Sequence, residues 1–162
     1  MKGIYLASYK AYHPGYNIIY QDINGKRDIG GDMLNIDISQ YDYIIATPPC
    51  NYYSRANYRR NSSYYALNTM HLLPDILNKL TKQNKPFIVE NVINKPLMKK
   101  LNLFNYPCFI YFVGRHTYWT NVFVNLDCEQ IHDNIQAGNT LTRQGGTNVH
   151  NVIETFLRFI HN

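Results

Sequence analysis

Residues 43–54 decide the fold: they read Tyr-Ile-Ile-Ala-Thr-Pro-Pro-Cys-Asn-Tyr-Tyr-Ser, a short apolar run that stops at two prolines. Residues 43–46 have the length and the continuous apolar character of a strand that is buried on both faces. Proline has a fixed φ and cannot donate to a sheet ladder, so Pro48 and Pro49 end the strand and fix the backbone before Cys50. The stretch therefore predicts a buried strand followed by a rigid loop that presents a cysteine.

Further apolar runs of strand length, rich in Ile, Val, Tyr and Phe, occur on both sides of this stretch. They lie at residues 3–7, 17–20, 87–89, 109–113 and 119–123. Apolar residues recur at helical spacing in residues 62–84, where Pro74 is expected to kink or divide the helix. A shorter helix is predicted at residues 95–101. An amphipathic stripe from Val149 to Ile160, after a break at Gly145-Gly146, predicts a docked C-terminal helix.

The order of these elements predicts an α/β fold. Continuous apolar strands joined by a crossover helix indicate a mostly parallel central sheet with helices on its faces, a three-layer sandwich. A chain of 162 residues without an internal repeat or a low-complexity linker is expected to form one domain over residues 1–162.

The composition limits the class of protein. No window approaches eighteen uninterrupted apolar residues, so we expect neither a transmembrane helix nor a signal peptide, and we expect an intracellular, cytoplasmic protein. The three cysteines are an odd number without metal-type pair spacing, which predicts neither disulfides nor a zinc site: Cys50, Cys108 and Cys128. Five histidines show no ligand spacing either, so we expect no metal and assign them structural roles: His13, His71, His132, His150 and His161. The formal charge of +5 suits a polyanionic partner.

Three groups of polar residues follow predicted strands. Cys50 follows the strand at residues 43–46, Glu90-Asn91-Val92 follows residues 87–89, and Gly114-Arg115-His116-Thr117 follows residues 109–113. In open α/β sheets, ligands and catalytic groups collect just beyond the carboxyl ends of the strands. The sequence therefore predicts that one pocket collects all three groups.

The order of these groups resembles a known family. Pro-Pro-Cys-x-x-x-Ser at residues 48–54, followed by Glu-Asn-Val at residues 90–92, is similar to the signature pair of the cytosine-C5 DNA methyltransferases, above all the small phage-type ones. Upstream, Gly31-Asp32-Met33 resembles the acidic motif on the cofactor side. Downstream, Arg115 resembles the first arginine of an Arg-x-Arg element, and residues 143–148 resemble a closing Gly-Asn motif. Abundant Asn, Ile, Lys and Tyr are typical of an AT-rich genome, such as that of a phage or mobile element in an AT-rich host.

The resemblance implies a Rossmann-like methyltransferase fold and a specific chemistry. Carbon-5 of cytosine becomes nucleophilic when a thiolate, here that of Cys50, adds to carbon-6. Glu90 is then expected to hydrogen-bond or protonate N3, and Arg115 to hold O2. A thiolate cannot reach a base inside a duplex, so the cytosine must be flipped out or single-stranded.

The resemblance also implies binding residues. S-adenosylmethionine is the implied cofactor, with Asp22 at the ribose hydroxyls, Asp32 at the adenine amine, and Pro48 and Pro49 beside it. DNA is the implied partner. Its expected contacts are polar or basic and lie close to the two signature motifs: Asn51, Ser54, Arg55, Arg59, Arg60 and Asn91.

The chain departs from the family pattern in three places. Residues 8–15 contain no Phe-x-Gly-x-Gly turn and leave no room for a three-turn helix, Thr117 stands where the second arginine belongs, and residues 124–142 are too few for a target-recognition domain. Three alternatives stay open. A partner protein or a second copy in a homodimer supplies recognition; the substrate is single-stranded or unspecific DNA, RNA or a nucleotide; or the chain no longer methylates and binds nucleic acid or a partner protein.

Overall fold

A mixed six-stranded sheet lies at the centre of the part of the chain that the computed structural model describes, residues 1–125 and 141–162. The strands are β1 (Gly3–Leu6), β2 (Ile18–Tyr20), β3 (Tyr43–Ala46), β4 (Phe87–Val92), β5 (Phe109–Val113) and β6 (His116–Thr120). The helices are α1 (Tyr64–Thr69), α2 (Leu72–Leu80), α3 (Lys95–Lys100) and α4 (Leu141–His161). The sheet and its flanking helices make an α/β fold, as predicted. Cys128 and His132 lie outside the described residues.

The strand order in the sheet is β2-β1-β3-β4-β6-β5. β1 to β4 run parallel, whereas β6 runs antiparallel to both β4 and β5. The antiparallel pair follows from a two-residue link, Gly114 and Arg115, because only antiparallel strands can be joined by so short a turn. Gly114 has the positive φ of 57° that such turns favour. The sheet is therefore mixed, and the prediction of a mostly parallel sheet holds for its first four strands.

The strands bury side chains on both faces of the sheet. On one face, alternate strand residues pack against α2 and α3: Ile4, Leu6, Ile44, Ala46, Phe87, Val89 and Trp119. On the other face, the intervening residues pack against α4: Tyr5, Tyr43, Ile45, Ile88 and Tyr118. Because successive side chains of a strand point to opposite faces, a continuous apolar run has to be covered on both sides. This explains why the run at residues 43–46, which is buried throughout, was recognisable with its observed bounds. β5 lies at the edge of the sheet instead, with Phe109 and Phe112 exposed.

The helical region at residues 62–84 is divided, but not by Pro74. α1 ends at Thr69 and α2 begins at Leu72, so the division lies at Met70 and His71, and Pro74 lies in the first turn of α2. The first backbone N–H groups of a helix have no intrahelical partner, so proline loses nothing in that turn. The prediction of a divided helix is confirmed, and its assigned position was wrong.

Several other boundaries differ from the prediction, and two of the differences are large. The last strand is His116–Thr120 rather than residues 119–123, because its residues pair with β4 directly after the Gly114 turn. α4 begins at Leu141 and runs through Gly145 and Gly146, where we expected a break, and through residues 143–148 as a whole. Each glycine costs a helix about 1 kcal/mol relative to alanine, which is small beside the burial of the apolar stripe further along α4. No helix in the described parts of the chain has the length and apolar content needed to cross a membrane.

The direction of the strand order changes between β1 and β3. The chain passes from β1 to β2 on one side of this point, and from β3 to β4 on the other. Beyond the carboxyl ends of these two strands, the Thr47 amide donates to the Leu6 carbonyl (3.1 Å), and the Thr47 hydroxyl donates to the Ala7 carbonyl (2.9 Å). Ligands of open α/β sheets bind in the crevice at such a point. Both the cysteine loop and the turn after β1 therefore start at the place where a ligand is expected.

Candidate active site

The loop that presents Cys50 is anchored by a neighbouring strand. The buried Asn91 side chain, on β4, donates from Nδ2 to the carbonyl of the buried Pro48 (3.0 Å). The Cys50 carbonyl then accepts hydrogen bonds from the amides of Tyr53 (3.0 Å) and Ser54 (2.8 Å), which closes a tight turn behind the cysteine. Proline on one side and hydrogen bonds on the other thus fix the backbone from which the thiol projects.

Cys50 and Glu90 are close enough to interact electrostatically. β4 extends to Val92, so Glu90 is a strand residue, and only 11% of its side chain is exposed. Although Cys50 as a whole is exposed, burial of its thiol raises the pKa, and the negative charge of Glu90 raises the pKa of Cys50 further. The resting group at neutral pH is therefore a thiol. Cysteine and glutamate were predicted to share one pocket, and the structure places them together.

His116, to which no catalytic role was assigned from the sequence, contacts Glu90. Its Nδ1 makes a short hydrogen bond to Glu90 Oε1, and its side chain is 13% exposed. The antiparallel register pairs Glu90 with Tyr118 and Val92 with His116, so His116 and Glu90 are diagonal neighbours on one face of the sheet. The signal that was available is the two-residue spacing between the runs that flank Gly114, which predicts a hairpin returning beside β4.

Arg115 lies at the same end of the sheet, but its side chain is not engaged with the other site residues. Its carbonyl accepts a hydrogen bond from the amide of Ile93 (2.7 Å), which fixes the turn beside the end of β4. The exposed guanidinium makes neither a hydrogen bond nor an ion pair with the residues that the structure describes. Its backbone position is therefore set, and its charge faces solvent at the edge where Cys50 and Glu90 lie.

Two asparagines support the loop from below. Asn91, which we assigned to nucleic-acid contact, is fully buried, and its Oδ1 accepts from the Val92 amide while Nδ2 holds Pro48. Asn94 caps α3 and donates from Nδ2 to the carbonyl of Tyr53 (2.9 Å). Both amides are used within the protein, so the geometry gives them the position of loop supports. The sequence offered no signal for Asn94, because its partner lies 41 residues away.

The segment after Cys50 displays rings and basic groups to solvent. Asn51, Arg55 and Arg59 are exposed, and the Arg59 guanidinium lies over the Tyr58 ring at 5.4 Å. The rings of Tyr58 and Tyr64 are more than four-fifths exposed.

Arg60 differs from the other two arginines of this segment. Its guanidinium donates to the carbonyls of Ser54 (2.7 Å) and Asn57 (3.2 Å), which braces the loop from within. Two of the three predicted arginines are thus available to phosphate, and the third stabilises the segment that carries them.

The turn after β1 adopts a glycine-like backbone without glycine. Ala7 and Tyr9 have positive φ values of 52° and 45°, the region that glycine occupies without steric cost. The side chain of the buried Gln21 holds this turn: its Oε1 accepts from the Ala7 amide (2.8 Å), and its Nε2 donates to the carbonyl of Gly31 (2.5 Å). The missing Phe-x-Gly-x-Gly sequence therefore does not remove the sharp turn that it would form.

The two acidic residues assigned to the cofactor lie in different settings. The carboxylate of Asp22, which is half-buried and follows the end of β2, makes no hydrogen bond or ion pair within the described parts of the chain. Asp32 is exposed, and its Oδ1 accepts from the Leu34 amide (3.0 Å), so it forms a local turn. A carboxylate free to accept hydrogen bonds from vicinal hydroxyls, next to a sharply turned backbone, fits the ribose part of S-adenosylmethionine.

Fold and site together are compatible with the class of α/β methyltransferases. In sequence, the chain is similar to the Type II methyltransferase M1.HgaI of Avibacterium volantium, with 32% identity over 99 residues, or 59% of this chain and 27% of that protein. The chain thus matches about a quarter of its relative's length. No protein-family model matches the chain.

Proposed function

We propose that this chain is a DNA cytosine-C5 methyltransferase-like protein of reduced form, with one Rossmann-like, three-layer domain over residues 1–162. The observation that carries the proposal is the placement of Cys50, on a proline-fixed and asparagine-anchored loop, beside the nearly buried Glu90. Similarity to a Type II methyltransferase supports it, as do apolar clusters on both faces of the sheet and the change of strand order between β1 and β3.

The chemistry begins with the exposed Cys50 thiol giving up its proton to solvent. The sulfur then forms a bond to carbon-6 of a flipped or single-stranded cytosine, and the electron pair of the 5,6 double bond moves to carbon-5. Bound S-adenosylmethionine supplies the methyl group that carbon-5 takes up. Loss of the proton from carbon-5 and cleavage of the sulfur–carbon bond restore the ring and the thiolate. Because the pKa of Cys50 is raised, the sulfur is mostly protonated at neutral pH, and the thiolate has to form before it can add to the base.

The residues beside Cys50 stabilise the charge that develops on the cytosine ring. Glu90 hydrogen-bonds or protonates N3, because addition at carbon-6 requires positive character on the ring. Arg115 holds O2, since its exposed guanidinium projects from the turn beside β4. The short contact of Glu90 with Nδ1 of His116 orients the carboxyl group toward its task.

Binding is divided between two loops. The segment after Cys50 contacts DNA through arginines that bind phosphate and exposed tyrosines that stack on bases. The residues assigned to these contacts are Asn51, Ser54, Arg55 and Arg59. Arg60 and Asn91 hold the loop. S-adenosylmethionine binds on the other side of the site. There Asp22 takes the ribose hydroxyls, Asp32 the adenine amine, and Pro48 and Pro49 border the methyl group.

The alternative is a degenerate methyltransferase-like protein that binds nucleic acid or a partner protein without the cofactor. One observation favours it: Ala7 and Tyr9 carry side chains where glycine would let the cofactor approach the backbone closely. RNA or a free nucleotide as substrate, and a homodimer or partner protein that supplies recognition, are variants of the first proposal that use the same thiol.

A transfer assay with labelled S-adenosylmethionine tests the proposal. Single-stranded DNA, duplex DNA, RNA and cytidine triphosphate are offered in parallel to the unaltered protein, to Cys50→Ser and to Cys108→Ser. We expect label on DNA, a loss of at least about a thousandfold in Cys50→Ser because the nucleophile is removed, and no change in Cys108→Ser. If label appears only on RNA or only on the nucleotide, the substrate belongs to that class and is not DNA.

A second measurement separates the two functions. An oligonucleotide with 5-fluorocytosine cannot lose a proton from carbon-5, so after methyl transfer the sulfur–carbon bond persists and is seen in the mass of the intact protein. We expect this adduct in Cys108→Ser and not in Cys50→Ser. Absence of any transfer, together with no binding of S-adenosylmethionine by calorimetry and intact DNA binding by Cys50→Ser, would establish the cofactor-free alternative.

A further inference from the structure

Three side chains with metal-ligating atoms meet where the β1–β2 connection packs against α4. His13 comes from the connection, while His150 and Glu154 lie one turn apart on α4. Their ligand atoms all lie within 4.8 Å of one another, although His13 and Glu154 are 141 residues apart in sequence. Spacing along the sequence could not reveal this cluster, which is why both histidines were given structural roles.

The distances are close to those of a tetrahedral metal site. Glu154 Oε1 lies 2.7 Å from His13 Nδ1 and 3.8 Å from His150 Nε2. Ligands about 2.0–2.1 Å from a tetrahedral zinc ion are separated by roughly 3.3 Å, a value between these two distances. An ion would require Glu154 to move off His13 and the two stacked rings to rotate until their nitrogen atoms point at one centre.

The cluster combines one fixed ligand with an accessible one. The His13 side chain is 1% exposed, its ring stacks on that of Tyr5, and its backbone amide donates to the hydroxyl of Tyr20 (2.7 Å). The His150 side chain is 45% exposed and stacks on His13 with ring centres 4.5 Å apart. Solvent, and with it an ion, reaches the ligand atoms from the His150 side without any opening of the core.

The surroundings of His13 also leave room beside the cluster. An open cavity of about 620 Å³ is bordered by His13, by Tyr12 to Tyr16 and by Lys26 to Asp28. Of the three ligating side chains only His13 borders this cavity, and the fourth position of the ion would open to solvent on the exposed His150 side. Three protein ligands with an open fourth position are the arrangement of catalytic and exchangeable zinc sites, whereas structural sites are closed by four.

We propose that His13, His150 and Glu154 bind one divalent ion of the zinc class. Two imidazoles and one carboxylate are ligands that Zn²⁺ accepts, whereas Mg²⁺ requires mostly oxygen ligands. The ion ties the connection after β1, which contains the Ala7 and Tyr9 turn, to the C-terminal helix. It stabilises the docking of α4 on the sheet and does not depend on the function proposed for Cys50.

Zinc binding to the complete protein tests this assignment. Binding is measured by competition with a chromophoric chelator, and the melting temperature is followed with Zn²⁺ and with Mg²⁺. We expect one Zn²⁺ per chain that raises the melting temperature, no effect of Mg²⁺, and at least a tenfold weaker affinity in His150→Ala and in Glu154→Gln. His71→Ala, an exposed histidine at the start of α2, is the matched control and keeps the affinity of the unaltered protein.

Substitution by Co²⁺ distinguishes this cluster from the cysteines. Bound Co²⁺ is expected to show visible bands of nitrogen and oxygen ligation without the intense near-ultraviolet absorption of a cobalt–thiolate bond. Thiolate absorption, or equal Zn²⁺ affinity in His150→Ala and the unaltered protein, would overturn the proposal. His150→Ala is expected to fold, since its ring is nearly half exposed, so a loss of binding reports on the ligand itself. These outcomes are independent of any methyl transfer.

Discussion

The loops that leave β3 and β1 start side by side at the edge of the sheet, yet they are held in different ways. The loop after β3 is fixed by two prolines and by a buried amide, Asn91, which bonds a buried carbonyl. The turn after β1 has left-handed backbone at two non-glycine residues and is held by the side chains of Gln21 and Thr47. The loop that carries Cys50 is thus fixed by its surroundings, while the turn after β1 keeps its shape at the cost of backbone strain.

Asn91→Ala tests the anchoring of the loop after β3, and we expect it to have the largest effect. Among the residues that the structure describes, the carbonyl of the buried Pro48 would lose its one side-chain donor, and an unsatisfied buried polar group costs about 1–3 kcal/mol of the free energy of unfolding. Because Cys50 follows two residues later, we also expect capture of 5-fluorocytosine DNA to fall by roughly a hundredfold. Urea unfolding and intact mass measure the two effects. The exposed Asn105→Ala is the control, and equal stability in both variants would show that the loop needs no anchor.

Gln21→Ala should have a smaller effect on stability, although it removes two hydrogen bonds. Gly31 is exposed, so water can replace the donor that its carbonyl loses, and only the Ala7 amide remains poorly satisfied. We expect a loss of about 1 kcal/mol in urea unfolding and weaker S-adenosylmethionine binding by calorimetry, with Cys50 alkylation unchanged. Gln83→Ala, at an exposed glutamine, should change none of these. A slower alkylation of Cys50 in Gln21→Ala would mean that the two loops are coupled.

Glu90→Gln sharpens the description of the cysteine side through its pH dependence. Removal of the negative charge lowers the pKa of Cys50, so at a given pH below that pKa more thiolate is present and alkylation is faster. The thiol remains partly desolvated, so its pKa stays above the ordinary value.

The measurement is the rate of iodoacetamide labelling of the Cys50 peptide against pH, followed by mass spectrometry. Cys108, whose pKa burial raises to about 11, is an internal reference with an unchanged profile. Asp75→Asn makes the same change of charge at an exposed site of α2 and should leave Cys50 unaffected. If the pH profile of Cys50 labelling is unchanged in Glu90→Gln, the charge of Glu90 does not affect the pKa of Cys50.

Regions of the molecule also differ in how well the sequence predicted their structure. Residues 43–46 were assigned with their observed bounds because a strand buried on both faces leaves a continuous apolar run. Residues 109–113 were also assigned with their observed bounds, although β5 is a partly exposed edge strand, because their apolar run stops at the Gly114 turn. An apolar run carries no information on strand direction, so the sequence did not predict that β6 is antiparallel. Its direction and register are given by its pairing with β4.

Within the site, the order of motifs identified Cys50 and Glu90 as candidates. The residues that hold them act across the chain: His116 on Glu90 over 26 residues, and Asn94 on Tyr53 over 41. Such contacts leave no periodic pattern in a single sequence. The turn after β1 shows the reverse case, since the sequence there lacks the glycines that favour positive φ, and the backbone adopts positive φ at Ala7 and Tyr9 instead.

Tyr9→Gly should produce the smallest effect, and of opposite sign. Tyr9 has a φ of 45°, and its side chain is mostly exposed, so glycine relieves backbone strain while little packing is lost. The greater freedom of glycine in the unfolded chain offsets part of this gain, so we expect a stabilisation of no more than about 1 kcal/mol. Without a Cβ at this position, S-adenosylmethionine should bind more tightly. Tyr12→Gly, at an exposed tyrosine without positive φ, should instead destabilise the protein in urea unfolding. If calorimetry shows the same cofactor affinity for Tyr9→Gly as for the unaltered protein, the turn after β1 does not border the methyl donor.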